Sequence, residues 1–247
     1  NGRILATVAA NLTGNTLNNV LYAGAGNNVL DGGTGTDTVS YAYGLAGTSG
    51  VTVSLAVSTA QATGGSGSDT LTSIENLIGS AYADRLTGNT GANSLGGGAG
   101  NDTFDGGAGS DTLAGGDGSD TYVVRDGGDV VSETNAVLAT GGSDTVYSSL
   151  AAYTLTANVE NGRILATVAA NLTGNTLNNT LYAGAGNNGL NGGSGIDTVS
   201  YAYGLAGTTG VTVSLAVGTA QATGGSGSDT LTSIENLIGS AYADRLT

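Results

Sequence analysis

Residues 97–123 read GGAGNDTFDGGAGSDTLAGGDGSDTYV, three nonapeptides in unbroken register. Each opens on paired glycines, carries a third glycine at position four and Asp at position six, and places Phe104, Leu113 or Tyr122 at position eight. A glycine-rich punctuator every nine residues, with one large apolar residue per period, matches neither a 3.6-residue helix nor a long alternating strand. It matches a tight turn followed by a three-residue strand. Glycine at positions one, two and four permits positive φ and close backbone approach. Strand alternation then points position eight into the coil and positions seven and nine outward. If two nonapeptides close one coil, position six lies one inter-strand spacing, about 4.8 Å, from position six two repeats later. That stacks Asp84 over Asp102 over Asp120, and Asn93 over Asp111 over Asp129.

The same register runs from Gly79 to Ser132 as six consecutive nonapeptides, and returns at 14–40, 64–72 and 139–147. It returns again in a second copy, because residues 1–87 recur at 161–247 with seven substitutions. The period is 160 residues, so the chain reads as one full solenoid unit, 1–160, and the start of a near-identical second, 161–247. With no leader before Asn1 and an end inside a repeat, it reads as a window of a longer tandem array.

Composition narrows the chemistry. The 247 residues include 46 Gly and no His, Cys, Pro, Met or Trp, with 19 acidic side chains against five Arg, for a net charge of -14. Without His or Cys, Ser-His-Asp and Cys-His nucleophile systems, thiol redox chemistry, disulfides and ordinary zinc sites are excluded. The acidity speaks against nucleic acid and anionic membrane as partners, and no apolar run is long enough to span a bilayer.

Of the 15 Asp residues, 11 occupy position six: Asp37, Asp69, Asp84, Asp102, Asp111, Asp120, Asp129, Asp144, Asp197, Asp229 and Asp244. Stacked carboxylates repel by about 1 kcal/mol per pair in water and by more in a less polar site. Five Arg cannot neutralise them; a divalent hard cation held by carboxylates and turn carbonyls can, which is calcium chemistry. The competing reading is that Gly-Asp and Gly-Asn merely make turns. It is preferred for Asn19, Asn28 and Asn93, whose amides can bond the backbone without an ion.

The stretch 97–123 resembles the RTX, or haemolysin-type, calcium-binding repeat GGxGxDxUx, with U a large apolar residue. The segments 37–80 and 120–133 are similar to stretches between repeat blocks of large secreted RTX proteins. The resemblance implies an all-β, right-handed parallel β-roll (β-solenoid) with Ca2+ between stacked Gly-Asp turns. It also implies export through a type I channel and folding outside the cell. By analogy Asp102 and Asp120 share an ion, as do Asp111 and Asp129, and Asp84 and Asp102.

Function follows as an expectation. The chain reads as a non-enzymatic, extracellular or cell-surface stalk, filament or coat segment of an adhesin-like protein, stiffened by calcium and continued or self-associated end to end. Alternatives are a calcium-dependent secretion and folding module of an RTX exoenzyme, or a carbohydrate- or ice-binding solenoid using outward Thr38, Thr70, Thr103, Thr112 and Thr121. A lyase-like role for Arg85 and Arg245 is set aside, since position seven faces solvent. The sequence carries five local expectations. Residues 51–57 form one longer strand, 73–78 and 133–138 bulge outward, and the 124–132 rung continues the coil without a complete calcium site, as does the rung at Gly162.

Overall fold

The computed structural model describes residues 1–5, 8–43, 47–135, 140–203 and 208–247. Among them are 27 short strands and no helix, hence no helix long and apolar enough to cross a membrane. Contacts divide the chain into two compact units, Asn1–Gly142 and Ser143–Thr247.

In the first unit the strict repeats coil as their period requires. Leu86 pairs with Phe104 and Phe104 with Tyr122 in one parallel sheet, while Leu77, Leu95, Leu113 and Val131 pair in another. Each step from Leu77 to Val131, and from Leu86 to Tyr122, advances 18 residues, so two nonapeptides close one coil. Position eight fills the interior: Leu86, Leu95, Phe104, Leu113 and Tyr122 are fully buried. Phe104 and Tyr122 stack at 5.2 Å between ring centroids. The fold is therefore a parallel β-roll with a thin core one side chain deep on each face.

The glycines divide their work differently from the sequence expectation. In the strict repeats 97–123 positive φ occurs at positions two and four, as in Gly98 (111°), Gly100 (119°), Gly116 (110°) and Gly118 (123°), and not at position one; in the 64–72 repeat, which forms the hairpin, position-one Gly64 has φ 71°. Position one is glycine for space. A Cβ on Gly97, Gly106 or Gly115 would collide with the Oδ2 of Asp102, Asp111 or Asp120. The same holds at Gly14 and Gly88 against the amides of Asn19 and Asn93. The first residue of each turn is thus the floor on which the sixth side chain lies.

Two expectations fail in the first unit. Residues 73–78 do not bulge out: Asn76–Ile78 is a rung, with Leu77 buried between Val39 and Leu95. The extra six residues are absorbed because Glu75 takes position six in place of Asp, with Ser73 at φ 52° making the bend. Nor is 51–57 one long strand. It stops at Ser54, where the Gln61 amide binds both the Ser54 N–H (2.8 Å) and its carbonyl (2.9 Å). Val57 is left largely exposed. Gln61–Gly64 then folds back antiparallel on Gly67–Thr72, a hairpin that the nonapeptide register does not encode. In the 133–138 segment, Glu133 is buried rather than bulged, and 136–138 lie outside the described residues.

The second unit repeats these features at the same offsets. Leu172 pairs with Leu190, Leu181 with Val199, Val199 with Leu237, and Gln221–Gly224 again folds onto Gly227–Thr232. Gly162, where a large residue would stand, continues the coil as expected. Its missing side chain is replaced by Leu172 and Leu155, whose methyls lie 2.9 and 3.0 Å from where a Cβ would be.

Candidate metal centre

The stacked position-six residues are joined by a bond that the sequence did not reveal. Each carboxylate accepts the backbone N–H of the position-six residue one coil earlier. Asp84 N–H donates to Asp102 Oδ1 (2.8 Å), Asp102 N–H to Asp120 Oδ1 (2.7 Å), Asn93 N–H to Asp111 Oδ1 (2.8 Å) and Asp111 N–H to Asp129 Oδ1 (3.2 Å). Asn19 N–H gives the same bond to Asp37 (2.7 Å) and Asn179 N–H to Asp197 (2.7 Å). One oxygen of every such Asp is therefore a ladder group, and the chemistry depends on the other.

The second oxygen sorts the residues into two classes. Asp84 is saturated: Oδ1 accepts Val51 N–H (2.6 Å) and Ser80 Oγ–H (2.8 Å), and Oδ2 accepts Ser80 N–H. Asp244 repeats this with Val211 and Ser240. Asp129 Oδ2 accepts the N–H groups of Arg125 and Asp126, both at 3.0 Å. Asp69 accepts Asn28 N–H (2.8 Å) and Thr63 Oγ–H (3.2 Å), and Asp229 does so from Asn188 and Thr223. These five side chains hold turns together.

The other class is open. The Oδ2 atoms of Asp37, Asp102, Asp111 and Asp197 are buried with no hydrogen-bond partner among the described residues. A buried, unsatisfied polar atom costs about 1–3 kcal/mol, more when charged. Asp120 and Glu133 offer oxygens within 4.8 Å of one another. A Cβ on Gly115 would strike both of them and the buried Tyr122 hydroxyl. Asp144, in the second unit, is buried, and its N–H donates to Glu160 Oε2 at 2.8 Å.

Burial raises carboxylates of both classes, Asp69, Asp84 and Asp229 among the hydrogen-bonded ones. Burial, reinforced by the Asp84 and Asp120 charges, pushes Asp102 up to about 7 against the pull of the Asp84 N–H. Burial pushes Asp120 up to about 6, and raises Asp111 and Asp197 as well. Asp105, outside the turns, is held low by the Arg125 guanidinium, which it binds at 2.8 and 3.1 Å. Desolvated carboxylates with a free oxygen, glycine floors and turn carbonyls close by make an oxygen-rich site that suits a hard divalent cation. The donor set fits Ca2+.

Sequence reasoning missed the glutamates. Glu75, Glu160 and Glu235 stand at position six and accept the N–H of Asp37 (2.7 Å), Asp144 (2.8 Å) and Asp197 (2.8 Å). The available signal was E-N-L-I matching D-T-L-x two residues before the core Leu. In the Asn turns the amides bond the backbone: Asn19 and Asn93 Oδ1 each accept an N–H of their own turn at 2.7 Å, and Asn28 Nδ2 donates to the Gly24 and Gly26 carbonyls, while Asn28 Oδ1 is buried with no partner among the described residues.

The model of the RTX calcium-binding nonapeptide repeat matches the chain in four copies, at residues 11–41, 72–104, 96–131 and 171–199, together about half of its length. No curated protein matches the chain.

Proposed function

The chain is an RTX calcium-binding repeat protein over its four matched segments, and from that premise we propose that it is a non-enzymatic, calcium-stiffened structural element of an extracellular stalk, filament or surface coat. The carrying observation is that residues 1–87 and 161–247, 160 apart, fold into the same rungs and the same hairpin at the same offsets. A solenoid repeat contacts only its neighbours, so copying it adds length without new chemistry.

Asp102, Asp111 and Asp120, with Glu133 beside Asp120, would hold calcium in the strict repeats, and Asp37 and Asp197 in the paired copies. The ion supplies positive charge to carboxylates that the five Arg do not reach. The chain's own part is to fix one oxygen of each Asp on a backbone N–H and, at Asp37, Asp102, Asp111 and Asp197, to leave the other without a partner among the described residues. Without the ion, desolvated charge opposes closure of the turns, which couples folding to the calcium level met outside the cell.

Circular dichroism and small-angle scattering on this chain, and on versions lengthened by whole 160-residue units, test the reading. In calcium the spectrum should be β and the maximum dimension should grow by a constant increment, on the order of 40 Å per unit at about 4.8 Å per coil. In chelator the spectrum should become that of a disordered chain and the maximum dimension should rise to that of an expanded chain. A β spectrum unchanged by chelator would remove the calcium reading, and a maximum dimension that does not grow with added units would remove the stalk.

A further inference from the structure

On the outer face of the second unit, Tyr147, Arg163 and Tyr182 stand side by side on adjacent strands. The Arg163 guanidinium lies 5.5 Å from the Tyr147 ring centre and 4.4 Å from that of Tyr203. Tyr203 in turn sits 5.6 Å from Tyr182, tilted by 53°. The first unit builds the same group: Arg3 is 4.8 Å from Tyr43, and Tyr43 is 5.9 Å from Tyr22 at 49°.

A cation on aromatic rings can be a plain surface staple, worth about 0.5–1 kcal/mol. Two features go beyond a staple. In a chain with 19 acidic side chains, Arg125 takes a bidentate carboxylate in Asp105. Arg3 and Arg163 lie over tyrosine rings, and their N–H edges meet no acceptor among the described residues. Tyr43 and Tyr203 also remain 54% and 51% exposed beside that edge. A fixed fork of donors matches a carboxylate, and a half-open ring beside it matches the C–H face of a sugar.

We propose that Arg163 with Tyr182 and Tyr203, and Arg3 with Tyr22 and Tyr43, form a repeated binding site for a carboxylate-bearing pyranose, a uronate unit of an acidic glycan. The carboxylate pairs with the guanidinium edge, and the ring packs on the exposed tyrosine. Because the group recurs every 160 residues, an array presents one site per unit, and weak single contacts add by avidity. The negative charge elsewhere on the chain repels the same ligand, which restricts it to these points.

The test is a titration of the whole chain, in fixed excess calcium, with methyl β-D-glucuronide, followed by the tyrosine ring signals in NMR. Methyl β-D-glucoside is the neutral comparator. The glucuronide should shift the Tyr43 and Tyr203 rings and bind at least fivefold more tightly than the glucoside. Arg3→Gln with Arg163→Gln should weaken it at least fivefold, and Lys at both positions should not restore it, since charge without the fork is insufficient. Tyr43→Ala with Tyr203→Ala, at half-exposed positions, should weaken it equally and carries the test if the Arg variants lose their β spectrum. Equal affinity for the two sugars, no ring shifts, or variants that bind as the parent does would overturn the proposal. So would binding lost on replacing calcium by magnesium while the folded Arg variants retain it, because calcium would then be bridging the sugar.

Discussion

Asp84 and Asp102 are one coil apart on the same edge of the β-roll, both buried and both bonded to a neighbouring backbone N–H, yet they do different things. The turn before Asp84 is GSAYAD and the turn before Asp102 is GGAGND. Ser80, at position two, folds its hydroxyl and N–H onto the Asp84 carboxylate. Gly98 at the same position has φ 111° and leaves Asp102 Oδ2 bare. Position six supplies the carboxylate in both turns, and position two decides whether it closes its own turn or remains available to a cation.

The sharpest way to break this comparison is to neutralise one member at a time. Asp102→Asn together with Asp120→Asn should weaken calcium binding by the strict repeats at least tenfold, read by calorimetry. Asp84→Asn should leave the number of bound ions unchanged and cost stability instead, about 1–3 kcal/mol for the lost hydrogen bonds. Equal loss of calcium in both variants would erase the distinction.

The glycine floor gives the next largest effect. Gly97→Ala drives a methyl into the Asp102 carboxylate and the Phe104 ring, so it should cost about 1–3 kcal/mol as overpacking and lower calcium affinity too. Gly91→Ala meets only the Asn89 side chain at 3.3 Å and should change little. Urea unfolding in calcium compares the two.

Protonation sharpens the comparison in the absence of metal. Asp102 and Asp120 have folded-state values pushed up to about 7 and about 6, so the folded chain holds more protons than the unfolded chain above the ordinary carboxylate range. Stability contributed by their protonated forms is present below about 4 and is lost as pH rises through about 6 to 7. In chelator the chain should therefore recover more β structure at pH 5 than at pH 8, while calcium affinity falls over the same interval toward acid, as protons compete. β structure in chelator that instead increases toward pH 8 would show these carboxylates to be ionised and satisfied without metal.

The smallest effect is the most specific. Ser80→Ala removes one hydroxyl bond from Asp84, should cost about 1 kcal/mol, and should move the Asp84 titration, already raised by burial, further upward as followed by carboxylate NMR, because one bond that favours its charged form is lost.

Much of this was legible in residues 79–132. The nine-residue spacing dictated two nonapeptides per coil, the buried file of Leu86, Phe104 and Tyr122, and the vertical order of the aspartates, because each follows from strand alternation and a fixed inter-strand distance. The hairpin of Gln61–Gly64 on Gly67–Thr72 was not legible. Its GGSGSD turn is written in the same letters as a coil turn, and only the side chains of Tyr41, Thr63 and Ser66 gathered around Asp69 explain why it folds back.

The sequence by itself determined the period, and with it the coil, the core file and the edge on which every position-six side chain stands. Periodicity acts through the backbone, which allows few ways to repeat. Tertiary structure decided which side chain lies against each carboxylate and which Asp keeps an oxygen without a partner among the described residues. It also decided which arginines present an unused fork to solvent. Those outcomes depend on which group reaches a given atom first, one from the same turn, as Ser80 does at Asp84, or one from residues 18 to 41 away, as at Asp102 and Asp69.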